Sequence, residues 1–145
     1  MLRGWRITKR RYASSAFNGE GARTYGGRWN SPGHSAVYVS ESRALATLEI
    51  LAGLRTPAVI PAYVLIGVEF DEAFVTNWEP DALPKDWKAY PPAGTTQALG
   101  DRWLLDQASA VLAVPSALIP GERNFVLNPQ HPRERGTSLG ASGRE

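Results

Sequence analysis

Apolar residues along this chain gather in short runs separated by Gly, Pro and charged positions. Residues 63–70 (Tyr-Val-Leu-Ile-Gly-Val-Glu-Phe) are rich in β-branched and aromatic side chains and carry the strongest strand signal. Residues 110–114 read as a buried strand ended by Pro115-Ser116. Residues 36–40 read as another, in which Tyr38 sits between Val37 and Val39 and so points to the opposite face. Shorter signals at Trp5-Arg6-Ile7 and at residues 124–128, stopped by Pro129, predict two more strands. Ser40 or Ser42 can cap a helix running to about Leu54, with Thr56-Pro57 as its stop. Leu45, Leu48, Leu51 and Ala52 form its apolar stripe, and Glu49 stands at the stripe's edge. Thr95 or Thr96 can cap a second helix to about Gln107, with Leu99, Trp103 and Leu104 facing inward. Residues 9–30 and 83–92 read as loops. The first is long, and its aromatic residues Tyr12, Phe17, Tyr25 and Trp29 argue for order, which points to function. Strands interleaved with two helices predict an α+β class in one domain, residues 1–132. Residues 133–145 are polar, with Leu139 their only large apolar side chain, and read as a disordered tail.

Composition narrows the chemistry. A chain of 145 residues fits one domain. It contains no Cys, which excludes disulfides, thiolate metal sites and a Cys nucleophile. The two His, His34 and His131, lie far apart, so no metal site is expected, and a Ser-His-Asp triad would have to recruit one of them. The start has no apolar core of a signal peptide, and no apolar run reaches the roughly 18–20 residues of a membrane helix. The expected location is the cytoplasm, without membrane contact. The net charge of +2 hides an asymmetry. Residues 1–55 hold nine Lys/Arg against three acids, a net +6, and the remainder seven against eleven, a net −4. A basic first third suits phosphates, although a solvated face gives the same count. A broad nucleic-acid surface would be expected to carry more charge.

The densest local signal is Gly26-Gly27-Arg28-Trp29-Asn30, followed by Pro32-Gly33. Its glycines admit close ligand approach, Arg28 brings five fixed donors and Trp29 a packing plane. A tight turn with a solvated Arg is the plain alternative, and the spacing fits neither a Walker loop nor a dinucleotide-binding fingerprint. Glu49, at the edge of an apolar stripe, is either held by a specific donor or a rim residue. Tyr38 and Ser116 are, on the residues alone, a strand Tyr and a turn Ser.

Taken in order, these segments resemble the RES domain, named for an Arg, a Glu and a Ser. The resemblance rests on Trp5-Arg6-Ile7, residues 19–22, residues 26–30, residues 37–40, residues 45–49, Gly100-Asp101-Arg102-Trp103-Leu104, Val114-Pro115-Ser116 and residues 124–132. It implies a fold similar to ADP-ribosyltransferases, with small mixed sheets flanked by helices. It implies the toxin of a type II toxin–antitoxin pair that consumes NAD, as substrate and not as cofactor, and an Xre-type antitoxin as partner. DNA would then be reached only through the antitoxin's helix-turn-helix. The family's Arg, Glu and Ser fall on Arg28, Glu49 and Ser116, and its active-site Tyr on Tyr38. Similar proteins continue past residue 132 with another strand, which the polar residues 133–145 do not resemble.

These residues can be tested against that implied reaction. Glycosidases usually need two carboxylates because an alkoxide leaving group needs an acid. The nicotinamide of NAD is already cationic and leaves neutral, so one carboxylate can suffice. Glu49 can stabilise the oxocarbenium-like ribose, Arg28 can clamp a phosphate with Arg6 as a second candidate, Tyr38 can stack on nicotinamide, and Ser116 can fix orientation. The acceptor, water or phosphate, is left open. Transfer of ADP-ribose to a protein and a non-enzymatic nucleic-acid-binding module are the alternatives.

Overall fold

The computed structural model describes residues 1–53 and 62–132. Its strands are β1 (Leu2–Lys9), β2 (Val37–Ser40), β3 (Tyr63–Phe70), β4 (Val75–Asn77), β5 (Val111–Pro115) and β6 (Arg123–Leu127). Its helices are α1 (Glu20–Tyr25), α2 (Arg43–Gly53) and α3 (Gly94–Asp106). The strands form one six-stranded sheet in the order β3-β1-β2-β6-β5-β4. β4 runs parallel to β5 and every other pair is antiparallel, so the sheet is mixed, and the expected small sheets are one.

Period-two alternation splits the central strands between two cores. Val37, Val39, Val111, Ala113, Phe125 and Leu127 face one side with Val68 and Phe70. Leu112, Val114 and Val126 face the other with Trp29, Trp103 and Leu104, and Tyr38 packs there from the cleft side. Full burial of such side chains stabilises the fold by about 1.5–3 kcal/mol each. This explains why residues 111–114 read as a continuous apolar run: both faces of β5 are covered.

The two main helices keep part of their expected faces, with Leu45, Trp103 and Leu104 buried, and depart at Leu48 and Leu99. Ser42, one of the two expected caps, receives the Leu45 amide at 3.0 Å. Packed on β1 and β2, α2 buries Leu45 and Ala46 and leaves Leu48 44% exposed. Its inner face is therefore 45–46–49–50, which turns Glu49 inward from the edge of the expected stripe. The expected stop at Thr56-Pro57 lies outside the described residues. α3 starts at Gly94 without a side-chain cap, correcting the expected Thr95 or Thr96. It buries Thr96, Gly100, Trp103 and Leu104, while Leu99 is 39% exposed. Gly100 takes the place expected of Leu99 because α3 presses on the backbone of the 26–30 loop: a Cβ at Gly100 would lie 1.7 Å from the Trp29 carbonyl oxygen.

Residues 9–30, expected to be irregular, contain a 3-10 helix (Arg10–Ser15) and α1. α1 ends at Gly26 with φ of 76°, a left-handed value that Gly adopts freely. The short strand β4 was not visible in the sequence pattern. The expectation for residues 133–145 falls outside the described residues.

Candidate active site

A cleft of roughly 410 Å³ opens between β1, β2, α2 and the loop before β2. Trp5, Ile7, Ala22, Ala46 and Ile50 give it apolar walls, and Arg6, Arg28, Tyr38, Ser40, Glu49 and Asn124 bring polar groups to it. This volume and mixture suit a small-molecule site. Among the described residues no group of His, Asp and Glu is placed to hold a metal ion.

Glu49 reaches the cleft from the inner face of α2. Its Oε2 accepts hydrogen bonds from Asn124 Nδ2 and, at 3.4 Å, from Ser116 Oγ. Ser116 is 3% exposed and does not line the cleft. Its hydroxyl also accepts the amides of Leu118 and Ile119, each at 3.1 Å, which folds the turn after β5. Ser116, expected to hydrogen-bond the substrate, thus stands behind Glu49 and off the cleft lining.

Arg28 is tied to the 83–92 loop. Its Nη1 donates to the carbonyls of Trp87 and Ala89, both at 2.8 Å. That leaves Nε and Nη2 uncommitted among the described residues. Burial holds the guanidinium below its usual pKa, and the negative charge of Glu49 pulls it back up. A guanidinium starts so high that it stays cationic throughout the working range. Arg6 is the second cation of the cleft. Its Nε donates to the Ala16 carbonyl at 2.6 Å and its Nη1 to the Tyr38 carbonyl at 3.1 Å, and burial lowers its pKa.

Tyr38 serves the loop as well as the cleft. Its hydroxyl accepts the Trp29 amide at 3.0 Å and donates to Asn30 Oδ1 at 2.6 Å. Burial pushes its pKa well up, so it remains a neutral donor. The ring itself lines the cleft beside Gly27, where a Cβ would sit 2.8 Å from the Tyr38 hydroxyl. Trp29 borders the cleft but is only 2% exposed, and its ring packs edge-on against Trp78 at 5.7 Å. It is a core anchor whose ring uses its packing plane mainly inside the fold. Asn30 is fully buried and its amide donates to the carbonyls of Ala22 and His34. α3 braces the same loop, Gln97 donating to the Gly27 carbonyl and Asp101 accepting from the Ser31 amide and hydroxyl. Asp101 is 3.9 Å from His34, and the carboxylate stands between Ser31 and His34, the middle place that His holds in a catalytic triad.

The structure thus gathers Arg6, Arg28, Tyr38 and Glu49 on one cleft, with Trp29 and Ser116 supporting it. Asn124 and Ser40 were missed as site residues. Their signal was a polar residue at or next to the end of each of two paired strands, legible only once the pairing is known.

Half-buried Arg28 on its loop and Glu49 held from behind thus face one cleft. Residues 3–140 match the RES domain, and the chain belongs to that family. Toxin Res of Yersinia enterocolitica is 39% identical over 127 residues, covering 88% of this chain and 84% of that protein. A Prs ADP-ribosylating toxin of Sphingobium is 36% identical over 137 residues, covering 91% of this chain and 85% of that protein. The crystal structure of the M. tuberculosis MbcT-MbcA toxin-antitoxin complex contains a chain that superposes with a TM-score of 0.76. That chain is 23% identical, and the match covers 99% of this chain and 81% of it.

Proposed function

We propose that this chain is a toxin that binds NAD in the cleft and cleaves its nicotinamide–ribose bond. The observation that carries this reading is a single carboxylate, Glu49, held from behind and sharing one cleft with two partly desolvated guanidiniums. The C–N bond pair leaves with nicotinamide, which becomes neutral, and the ribose carbon gains oxocarbenium character. Glu49 meets that charge, in surroundings where a fixed carboxylate acts more strongly than in water. The free donors of Arg28, with Arg6, hold the pyrophosphate, and the Tyr38 ring stacks on the base. Water or inorganic phosphate then adds to the ribose carbon. Incubating the purified chain with NAD, with and without phosphate, tests the reading. Release of nicotinamide with ADP-ribose, or with its phosphorylated form, supports it. Intact NAD refutes it.

Transfer of ADP-ribose to a protein is a second reading, favoured by the name of the Sphingobium relative. It uses the same bond cleavage with a protein group as acceptor, and a mass increment on that protein distinguishes it. For a partner we propose an antitoxin, of the Xre type with a helix-turn-helix, supported by the toxin-antitoxin complex that shares this fold. A carboxylate of that partner entering beside Arg28 would exclude NAD. Antitoxin that binds yet leaves turnover unchanged refutes such occlusion.

A further inference from the structure

The contacts of Glu49 fall on one of its two oxygens. Asn124 Nδ2 and Ser116 Oγ both donate to Oε2, and among the described residues none donates to Oε1. Asn124 is itself fixed. Its Oδ1 accepts from Ser40 Oγ at 2.6 Å, so the amide turns its NH2 toward Glu49. The arrangement descends from strand pairing: Ser40 and Asn124 are direct partners across β2 and β6, and their side chains leave the same face of the sheet. α2 lays Glu49 over that pair. A carboxylate aimed by a side-chain pair on two sheet strands is held more tightly than one aimed from a loop.

We infer that Asn124, locked by Ser40, is the positioning residue of Glu49: it holds Oε2 and leaves Oε1 to meet the ribose. This inference rests on the function proposed above. Loss of the donor frees the carboxylate to rotate, so the bond-breaking step suffers and NAD capture by Arg28 and Arg6 does not. Replacing the amide by a carboxyl adds repulsion when that carboxyl is ionised, and restores a donor when it is protonated.

The test uses the full chain with NAD between pH 5.5 and 8.5. Asn124→Asp should lower kcat by about 10- to 100-fold at pH 8, as expected for losing a hydrogen bond to a charged group, with KM changed by less than about threefold. Its activity relative to the parent should rise as pH falls. Ser40→Ala should lower kcat in the same sense but less, without that pH dependence. A folded Asn124→Asp protein with parental kcat at pH 8, or one that raises KM alone, overturns the inference. A second measurement needs no turnover. In the NAD-free protein the Asn124 side-chain amide proton resonances should shift on Glu49→Ala and exchange faster with solvent on Ser40→Ala. Resonances that ignore both changes overturn the assignment. Resonances that respond, in a parent that leaves NAD intact, sustain the aiming of Glu49 and refute the proposed reaction instead.

Discussion

Replacing Ser116 by Ala separates support from chemistry. The hydroxyl accepts two backbone amides, of Leu118 and Ile119, at 3.1 Å each, and donates to Glu49 at 3.4 Å. The two short bonds close a turn in the manner of a helix cap, and losing such a cap costs about 0.5–2 kcal/mol. The bond to Glu49 is long, so its loss should fall in the range of an ordinary hydrogen bond, about 0.5–1.5 kcal/mol, or a rate decrease of about 2- to 12-fold. For a chain of this length each kcal/mol moves the melting point by about 2–4 °C, so Ser116→Ala should melt about 1–8 °C lower. Thermal melts, and initial rates of NAD loss measured well below both melting points, give the two numbers. A variant that melts like the parent but is inactive, with a covalent adduct on Ser116 in the parent's intact mass, would refute this reasoning. Ser116 would then be a nucleophile.

Two further outcomes follow from the loop contacts. Arg28→Lys should raise the KM for NAD by about tenfold or more, since Lys cannot bridge the Trp87 and Ala89 carbonyls while also forking onto a phosphate; steady-state kinetics check this. Tyr38 stays protonated in the fold through burial, whereas an unfolded Tyr ionises near pH 10, so the unfolded state sheds a proton that the native state keeps. Stability from this group is complete below about pH 10 and falls as pH rises beyond it. Urea midpoints at pH 8 and 10.5 should therefore drop further for the parent than for Tyr38→Phe, and equal drops would contradict the buried hydroxyl.

The strands were legible because β-branched runs such as residues 63–70 and 110–114 satisfy a local rule. The helix faces were legible only in part: Leu45, Trp103 and Leu104 turn inward as expected, and Leu48 and Leu99 do not. Glu49 was legible as a residue near the core, but the side of α2 that turns inward depends on where the cleft lies, and Leu48 was assigned inward in its stead. Gly100 shows the same limit, since its value lies in a contact with the Trp29 backbone 71 positions earlier. α1 was hidden by the Gly and polar content that makes residues 18–30 resemble a loop. Arg28 stood out in a dense Gly-rich motif, whereas Glu49, Tyr38 and Ser116 took their roles from the resemblance to the RES domain. Asn124 and Ser40 were not named, because a cross-strand pair has no local signature. The Trp87 and Ala89 carbonyls that grip Arg28 are backbone atoms, which no residue type announces.

In the proposed reaction Glu49 carries the bond-breaking step. The direct measurement is the rate of nicotinamide release from NAD by the parent and by Glu49→Gln, with melting points taken on both. Gln keeps the shape and can still accept from Asn124 through its amide oxygen, but it removes the charge. The parent should release nicotinamide steadily, and the variant should melt at a similar temperature with a rate lower by about 10²- to 10³-fold, the usual cost of losing one charge-stabilising group. A folded Glu49→Gln protein that releases nicotinamide at close to the parental rate would contradict this role.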